Sequence, residues 1–208
     1  GVLFLDELPE FSRHVLEVLR EPLESGRITI SRAARQADFP ATFQLIAAMN
    51  PCSCGYHGHA SARCRCSPAQ IAGYGARISG PLLDRIDLRI EVPSLSESDL
   101  LDAPPGESSA TVRARVVRAR AIQQERQGMP NARLAGRELE ESARAMPAVL
   151  KLMRNAITTL GLSGRAHQRV LRVARTIADL EGATEVSAGH AGEALLYRGD
   201  TIGTSVLL

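Results

Sequence analysis

The chain has 208 residues, 44% of them hydrophobic and 23% charged, the balance of a globular protein able to bury a core. Aromatic residues make up only 3% and tryptophan is absent, which argues against a base-stacking platform or an aromatic sugar cleft. The net charge of +2 names no partner, although Lys151 is the only lysine among 25 basic residues; with no run of about 18 apolar residues and no leader-like start, a soluble cytoplasmic protein that does not engage a membrane is expected.

Residues 2–5 are apolar and end in Asp6-Glu7, the pattern of a fully buried parallel strand that terminates in acids. A chain seldom starts inside its own central strand, so Gly1 is not expected to be the native start. Ser12 caps a helix with Val15, Leu16, Leu19 and Leu23 at helical spacing, closed by Pro22 and Gly26. Residues 27–31 alternate as a strand that can pair with 38–42 as a hairpin, and a further strand is expected over 43–49. Residues 51–68 hold all four cysteines among Gly, Ser, Pro and His and read as a loop or small insert. A last short strand is expected at 88–92, ended by Pro93. The Pro-Pro-Gly stretch in 102–110 is the best linker. Beyond it everything reads helical: from Thr111 as cap to Gly128, from Pro147 to Gly161, from Ser163 to Gly182, and from Ser187 to about Tyr197.

Three features carry chemistry. A buried strand would deliver Asp6 and Glu7 to its carboxyl end, where open α/β sheets bind ligands. One carboxylate there can hold Mg²⁺ and the other can polarise water. Asn50 ends the 43–49 strand at the same edge and can orient that water. Arg85, just before 88–92, suits a guanidinium supplied to a neighbouring subunit's phosphates. Taken singly, the acids read as a surface strand end, Asn50 as a strand cap and Arg85 as an ion pair with Asp84 or Asp87. Their order along one chain favours the joint reading.

The strings Gly-Val-Leu-Phe-Leu-Asp-Glu-Leu-Pro-Glu-Phe, Ala-Ala-Met-Asn-Pro-Cys-Ser-Cys-Gly and Ser-Gly-Pro-Leu-Leu-Asp-Arg-Ile-Asp-Leu-Arg-Ile-Glu-Val-Pro, with the later Ala-Arg-Thr-Ile-Ala-Asp-Leu-Glu-Gly, closely resemble the magnesium-chelatase-like AAA+ ATPases of the ComM/YifB competence-protein family. The resemblance implies an α/β fold: a partial three-layer AAA+ core from the Walker B strand onward over 1–101, the linker 102–110, and an all-helical lid over 111–208. It makes Asp6 and Glu7 the Walker B pair, Asn50 sensor 1, Arg85 the arginine finger, and Arg165, beside ATP in the lid, sensor 2. It also implies ATP and Mg²⁺ as cofactors, a hexameric homo-oligomer, and DNA remodelling in natural transformation. The magnesium chelatase ATPase subunit, which remodels a metal-insertion partner, is the alternative. A non-enzymatic interaction module is a third.

A phosphate loop, Gly-x-x-x-x-Gly-Lys-Ser/Thr, is missing from these residues. The expectation is therefore that residues 1–208 alone neither bind ATP tightly nor hydrolyse it, and that 88–92 lacks a strand neighbour. The hairpin occupies the place of the family's pore-facing hairpin, so Arg32 and Arg35 near its tip are candidates for DNA phosphate contact, a solvated turn being the alternative. Cys52-x-Cys54 and Cys64-x-Cys66 suit a closed tetrahedral Zn²⁺ site; a disulfide or free thiols remain alternatives. The arginines at 113, 115, 118, 120 and 126 spread around their helix, as on a solvated or intersubunit surface. His14, His167 and His190 show no ligand spacing and read as packing or surface residues.

Overall fold

The computed structural model describes residues 1–32, 35–59 and 63–198, and it divides into two compact units, Gly1–Ile86 and Asp87–Leu208. The first unit mixes strands and helices; the second is helical.

In the first unit, β1 (Val2–Leu5) pairs in parallel with β4 (Gln44–Ala47), Leu3 opposite Leu45 and Leu5 opposite Ala47. Between them, α1 (Arg13–Val18) starts at Ser12, whose hydroxyl accepts from the Val15 N–H. Its successor α2 (Arg20–Ser25) is a separate helix because Pro22 has no N–H to continue the ladder. It ends at Gly26, whose φ of 68° is the left-handed conformation a helix stop favours. The hairpin of β2 (Arg27–Arg32) and β3 (Arg35–Pro40) pairs Ile28 with Phe39 and Arg32 with Arg35; it thus pairs with 35–40, where the sequence pointed to 38–42. Two short helices follow the cysteines: α3 (Pro68–Gly75) and α4 (Gly80–Leu83).

The buried-strand expectation for β1 is corrected. Leu5 packs on the cluster of Leu8, Leu16, Ile78 and Leu82, but Val2 and Phe4 on the other face are 65% and 59% exposed. A two-stranded ladder has one face covered, so the run alternates despite being wholly apolar. The cap of α3 is a full capping box: the Ser67 hydroxyl accepts from the Gln70 N–H at 3.3 Å, and the Gln70 side-chain oxygen accepts from the Ser67 N–H at 2.8 Å. Ser67→Ala is expected to cost about 1 kcal/mol, read as a lowered melting temperature.

The second unit corrects the strand at 88–92. The segment is irregular, with Val92 85% exposed, and Arg89 donates its N–H to the Tyr197 carbonyl instead of a ladder. A strand needs a partner, and none is supplied here among the described residues. Helix α5 (Glu97–Leu101) precedes α6 (Ser109–Gln127), whose cap is Ser108, not Thr111: the Ser108 hydroxyl accepts from the Thr111 N–H at 3.2 Å. Then come α7 (Gly136–Ala143), α8 (Pro147–Leu160), α9 (Gly164–Glu181) and α10 (Ala188–Leu196). Their core joins Leu139, Val149, Met153, Val170, Ala174, Ala178, Val186 and Ala191. His190 is a packing residue, as expected: its Nδ1 accepts from the Ser187 N–H and its Nε2 meets Glu181 at 2.8 Å.

A buried polar network ties α6 to α9. Arg126 donates to both Asp179 carboxylate oxygens at 2.5 and 2.9 Å, Asn131 donates to Asp179 at 2.8 Å, and Arg175 donates to it at 3.1 Å. Arg126 is therefore not part of a solvated arginine surface; its partner lies within its own unit.

Candidate active site and metal centre

Parallel pairing puts the carboxyl ends of β1 and β4 side by side. The register continues past the strands, since Ala48 N–H donates to the Leu5 carbonyl and Leu8 N–H to the Ala48 carbonyl, both at 2.9 Å. Asp6 and Glu7 leave β1, and Asn50 leaves the β4 segment, at this same edge; all three are exposed. Glu7 takes the left-handed conformation, φ 51° and ψ 46°, uncommon for a residue with a side chain and frequent at functional sites. Its N–H donates to Asp6 Oδ1 at 2.9 Å. Among the described residues neither carboxylate is held in an ion pair, which leaves lone pairs on both, Asp6 Oδ2 among them, for a hard cation or water.

Sequence reasoning missed Tyr74. It is buried on α3, and the Asn50 backbone amide acts on its phenol, favouring the ionised form. Burial, with the charges of Glu10 and Glu7, pushes its phenol above the ordinary range. The Arg77 guanidinium lies 5.8 Å from the Tyr74 ring centre and donates to Glu10 at 2.9 Å. The available signal was the Ser67-Pro68-x-Gln70 helix start inside a stretch that otherwise reads as loop.

The remaining candidates stand elsewhere. Arg85 follows α4 with its side chain 9% exposed; it donates to the Pro81 carbonyl at 2.7 Å and pairs with Glu24 of α2. Asp87, named as its possible partner, instead takes Arg169 at 2.5 Å. Arg165 is exposed in the first turn of α9. Arg32 and Arg35 close the hairpin ladder, but their side chains and the tip at 33–34 lie outside the described residues.

The four cysteines converge. Their sulfurs all lie within 4.8 Å of one another, with Cys52–Cys54, Cys54–Cys64 and Cys52–Cys64 at 3.3, 3.7 and 3.8 Å. All four are free thiols. A tetrahedron with Zn–S bonds of about 2.3 Å places its sulfurs roughly 3.8 Å apart, so the set fits one ion. The Tyr56 N–H, with neighbouring thiols, draws Cys54 down to about 6. Although the Cys66 N–H opposes it, burial and the thiols at 54 and 52 push Cys64 up to about 11. A thiophilic cation binding such a set displaces the protons the thiols carry.

The profile of magnesium chelatase subunit ChlI matches residues 1–100, and that of the ChlI C-terminal region matches 106–198. The class is thus that of the magnesium-chelatase-like AAA+ ATPases. Competence protein ComM of Haemophilus influenzae is 50% identical over 199 residues, 95% of this chain and 39% of its own length, and YifB of Salmonella typhimurium is 49% identical over 201, again 95% and 39%. The 38 kDa magnesium-chelatase subunit of Acidiphilium rubrum is 26% identical over 203 residues, 91% of this chain and 49% of its own. The chain belongs to the ComM/YifB family. It spans about two fifths of the length of these ComM and YifB relatives (39%). No helix among the described residues is long and apolar enough to cross a membrane.

Proposed function

We propose that these residues form the hydrolytic edge and helical lid of an ATP-driven motor acting on DNA, within a full-length protein that supplies the phosphate loop. The observation that carries this reading is the β1–β4 register, which brings Asp6, Glu7 and Asn50 to one sheet edge. Asp6, an exposed hard oxygen donor, is the residue to hold Mg²⁺. When bound with ATP, that ion neutralises charge spread over the phosphate oxygens. Glu7 accepts the proton of the attacking water at a carboxylate oxygen, and the Asn50 amide orients that water. The residues fit this half of the site only: no phosphate-cradling motif lies among the 208, so the isolated chain is proposed to be inactive.

In this reading Arg85 serves a neighbouring protomer's nucleotide and must first leave Glu24, while Arg165 reaches ATP from the lid. The core spans 1–101 as part of a three-layer sheet, the linker 102–110 and the lid 111–208. The assembly is a homo-oligomer, a hexamer by family habit, in the cytoplasm. Arg32 and Arg35 contact DNA phosphates, consistent with the competence label of the Haemophilus relative. Identity of 50% against 26% sets the chelatase alternative behind. The thiol cluster is proposed to hold a structural Zn²⁺.

Mixing tests the shared site. Glu7→Gln and Arg85→Ala versions of the full-length protein are each expected to lose ATP turnover. Combined in equal amounts they should regain part of it, because some interfaces then pair an intact Glu7 with an intact Arg85. Absence of recovery, with assembly verified, overturns the interprotomer role of Arg85.

A further inference from the structure

We infer that a metal ion on Cys52, Cys54, Cys64 and Cys66 positions Asn50, so that the cluster controls the amide at the hydrolytic edge. This rests on the reading that the thiols take zinc. The cluster is stitched to Asn50 at both of its ends. Cys52 stands two residues beyond Asn50 with Pro51 between, and proline fixes its own φ and limits the residue before it. Cys66 immediately precedes Ser67, the cap of α3, and α3 carries Tyr74, on whose phenol the Asn50 backbone amide acts. Gathering the four sulfurs therefore brings the end of the β4 segment and the start of α3 together.

The turn that bears the first two ligands also borders the amide itself. The Gly55 N–H donates to the Cys52 carbonyl at 3.0 Å, and Gly55 has φ 80°. A β-carbon at Gly55 would stand 3.9 Å from both Cγ and Oδ1 of Asn50, so this turn is in side-chain contact range of the Asn50 head group. A loop of this length ordered by weak contacts alone must offset its closure entropy. An ion with four thiolate bonds offsets it and holds the turn, and with it one face of the amide, in place. Asn50 is the residue proposed to touch the water; the cysteines act through it and are positioning residues.

The test uses the reduced, isotope-labelled chain, first stripped of metal and then titrated with Zn²⁺ or with Co²⁺ as a coloured substitute. The expected result is uptake of one ion per chain with the absorption of tetrahedral cobalt–thiolate. On loading, the side-chain amide resonances of Asn50, identified by their loss in Asn50→Asp, shift and sharpen; those of Asn131 and Asn155 in the helical unit stay. A chelator reverses the change. Cys64→Ser should weaken uptake by more than the roughly 10–100-fold cost of losing a mere hydrogen-bond partner of a ligand and abolish the Asn50 response, while Cys64→His, which restores a fourth ligand, restores both. Failure of the native chain to take up either ion overturns the metal site and the inference together. Uptake that leaves the Asn50 amide unmoved overturns only the positioning role.

Discussion

Asp179→Ala is expected to destabilise the helical unit by about 3–5 kcal/mol, the range for breaking a buried ion pair by removing one partner. Asp179 and Arg175 side chains are both fully buried. The lost carboxylate would leave Arg175 with only carbonyl partners, chiefly Ala183 at 2.5 Å and Thr184 at 2.9 Å, and would take the charged partner from Arg126 and one acceptor from Asn131. Domains hold only about 5–15 kcal/mol in total, so a large share of the stability is at stake. Urea unfolding followed by helical circular dichroism reads the change, with Asp179→Asn expected to fall between because it keeps acceptors without the charge. A change below about 1 kcal/mol would show that the network is energetically neutral.

The same carboxyl sets a pH window. Burial alone would raise it, but hydrogen bonds from Arg126 and Asn131 and the charges of Arg175 and Arg126 outweigh that and hold it below its ordinary value of 3.8. A depressed native value means that the unfolded chain takes the proton first, so stability falls as acid is added. The contribution is complete above the ordinary value and is lost as pH drops through the native one. Between neutral pH and mild acid the wild type should hold steady, and Asp179→Ala should show the flatter profile below that.

What could be read in advance was local. Ser12, Ser163 and Ser187 start helices where expected, and Gly161 and Gly182 stop them, because a cap is settled within four residues. Helix α7 escaped notice because Ala135 precedes it and supplies no side-chain cap. Ser108 displaced Thr111 because two hydroxyls stand three residues apart and the earlier one reaches the later one's N–H. What depended on distant partners was illegible. Arg126 looks like its four neighbours until Asp179, 53 residues away, is brought to it, and Glu24 reaches Arg85 across 61. The apolar run at 2–5 finds a ladder, whereas the alternating Leu-Arg-Ile-Glu-Val at 88–92, an equally good strand pattern, finds none among the described residues. In the candidate site the edge residues were legible because strand ends announce themselves; Tyr74 was not, since its role depends on a helix folding back onto Asn50.

Glu7→Gln carries the largest expected functional effect: ATP turnover by the full-length protein should fall roughly 10²–10⁴-fold, the usual worth of a positioned general base, while nucleotide binding persists. The substitution isolates proton acceptance. Gln matches Glu in size, Glu7 is exposed, and its left-handed backbone costs either residue about the same, so the edge should keep its shape. An uncharged amide still accepts a hydrogen bond from water but cannot take its proton. Asp6→Asn should separate from it by weakening Mg²⁺-dependent nucleotide binding, because a hard cation loses a charged ligand there. Turnover and binding of a fluorescent nucleotide, measured on the same preparations, distinguish the two acids. If Glu7→Gln keeps turnover within about tenfold of wild type, or loses binding in step with turnover, the division of labour between the neighbouring carboxylates is wrong, and the strand edge is a metal anchor instead of a hydrolytic centre.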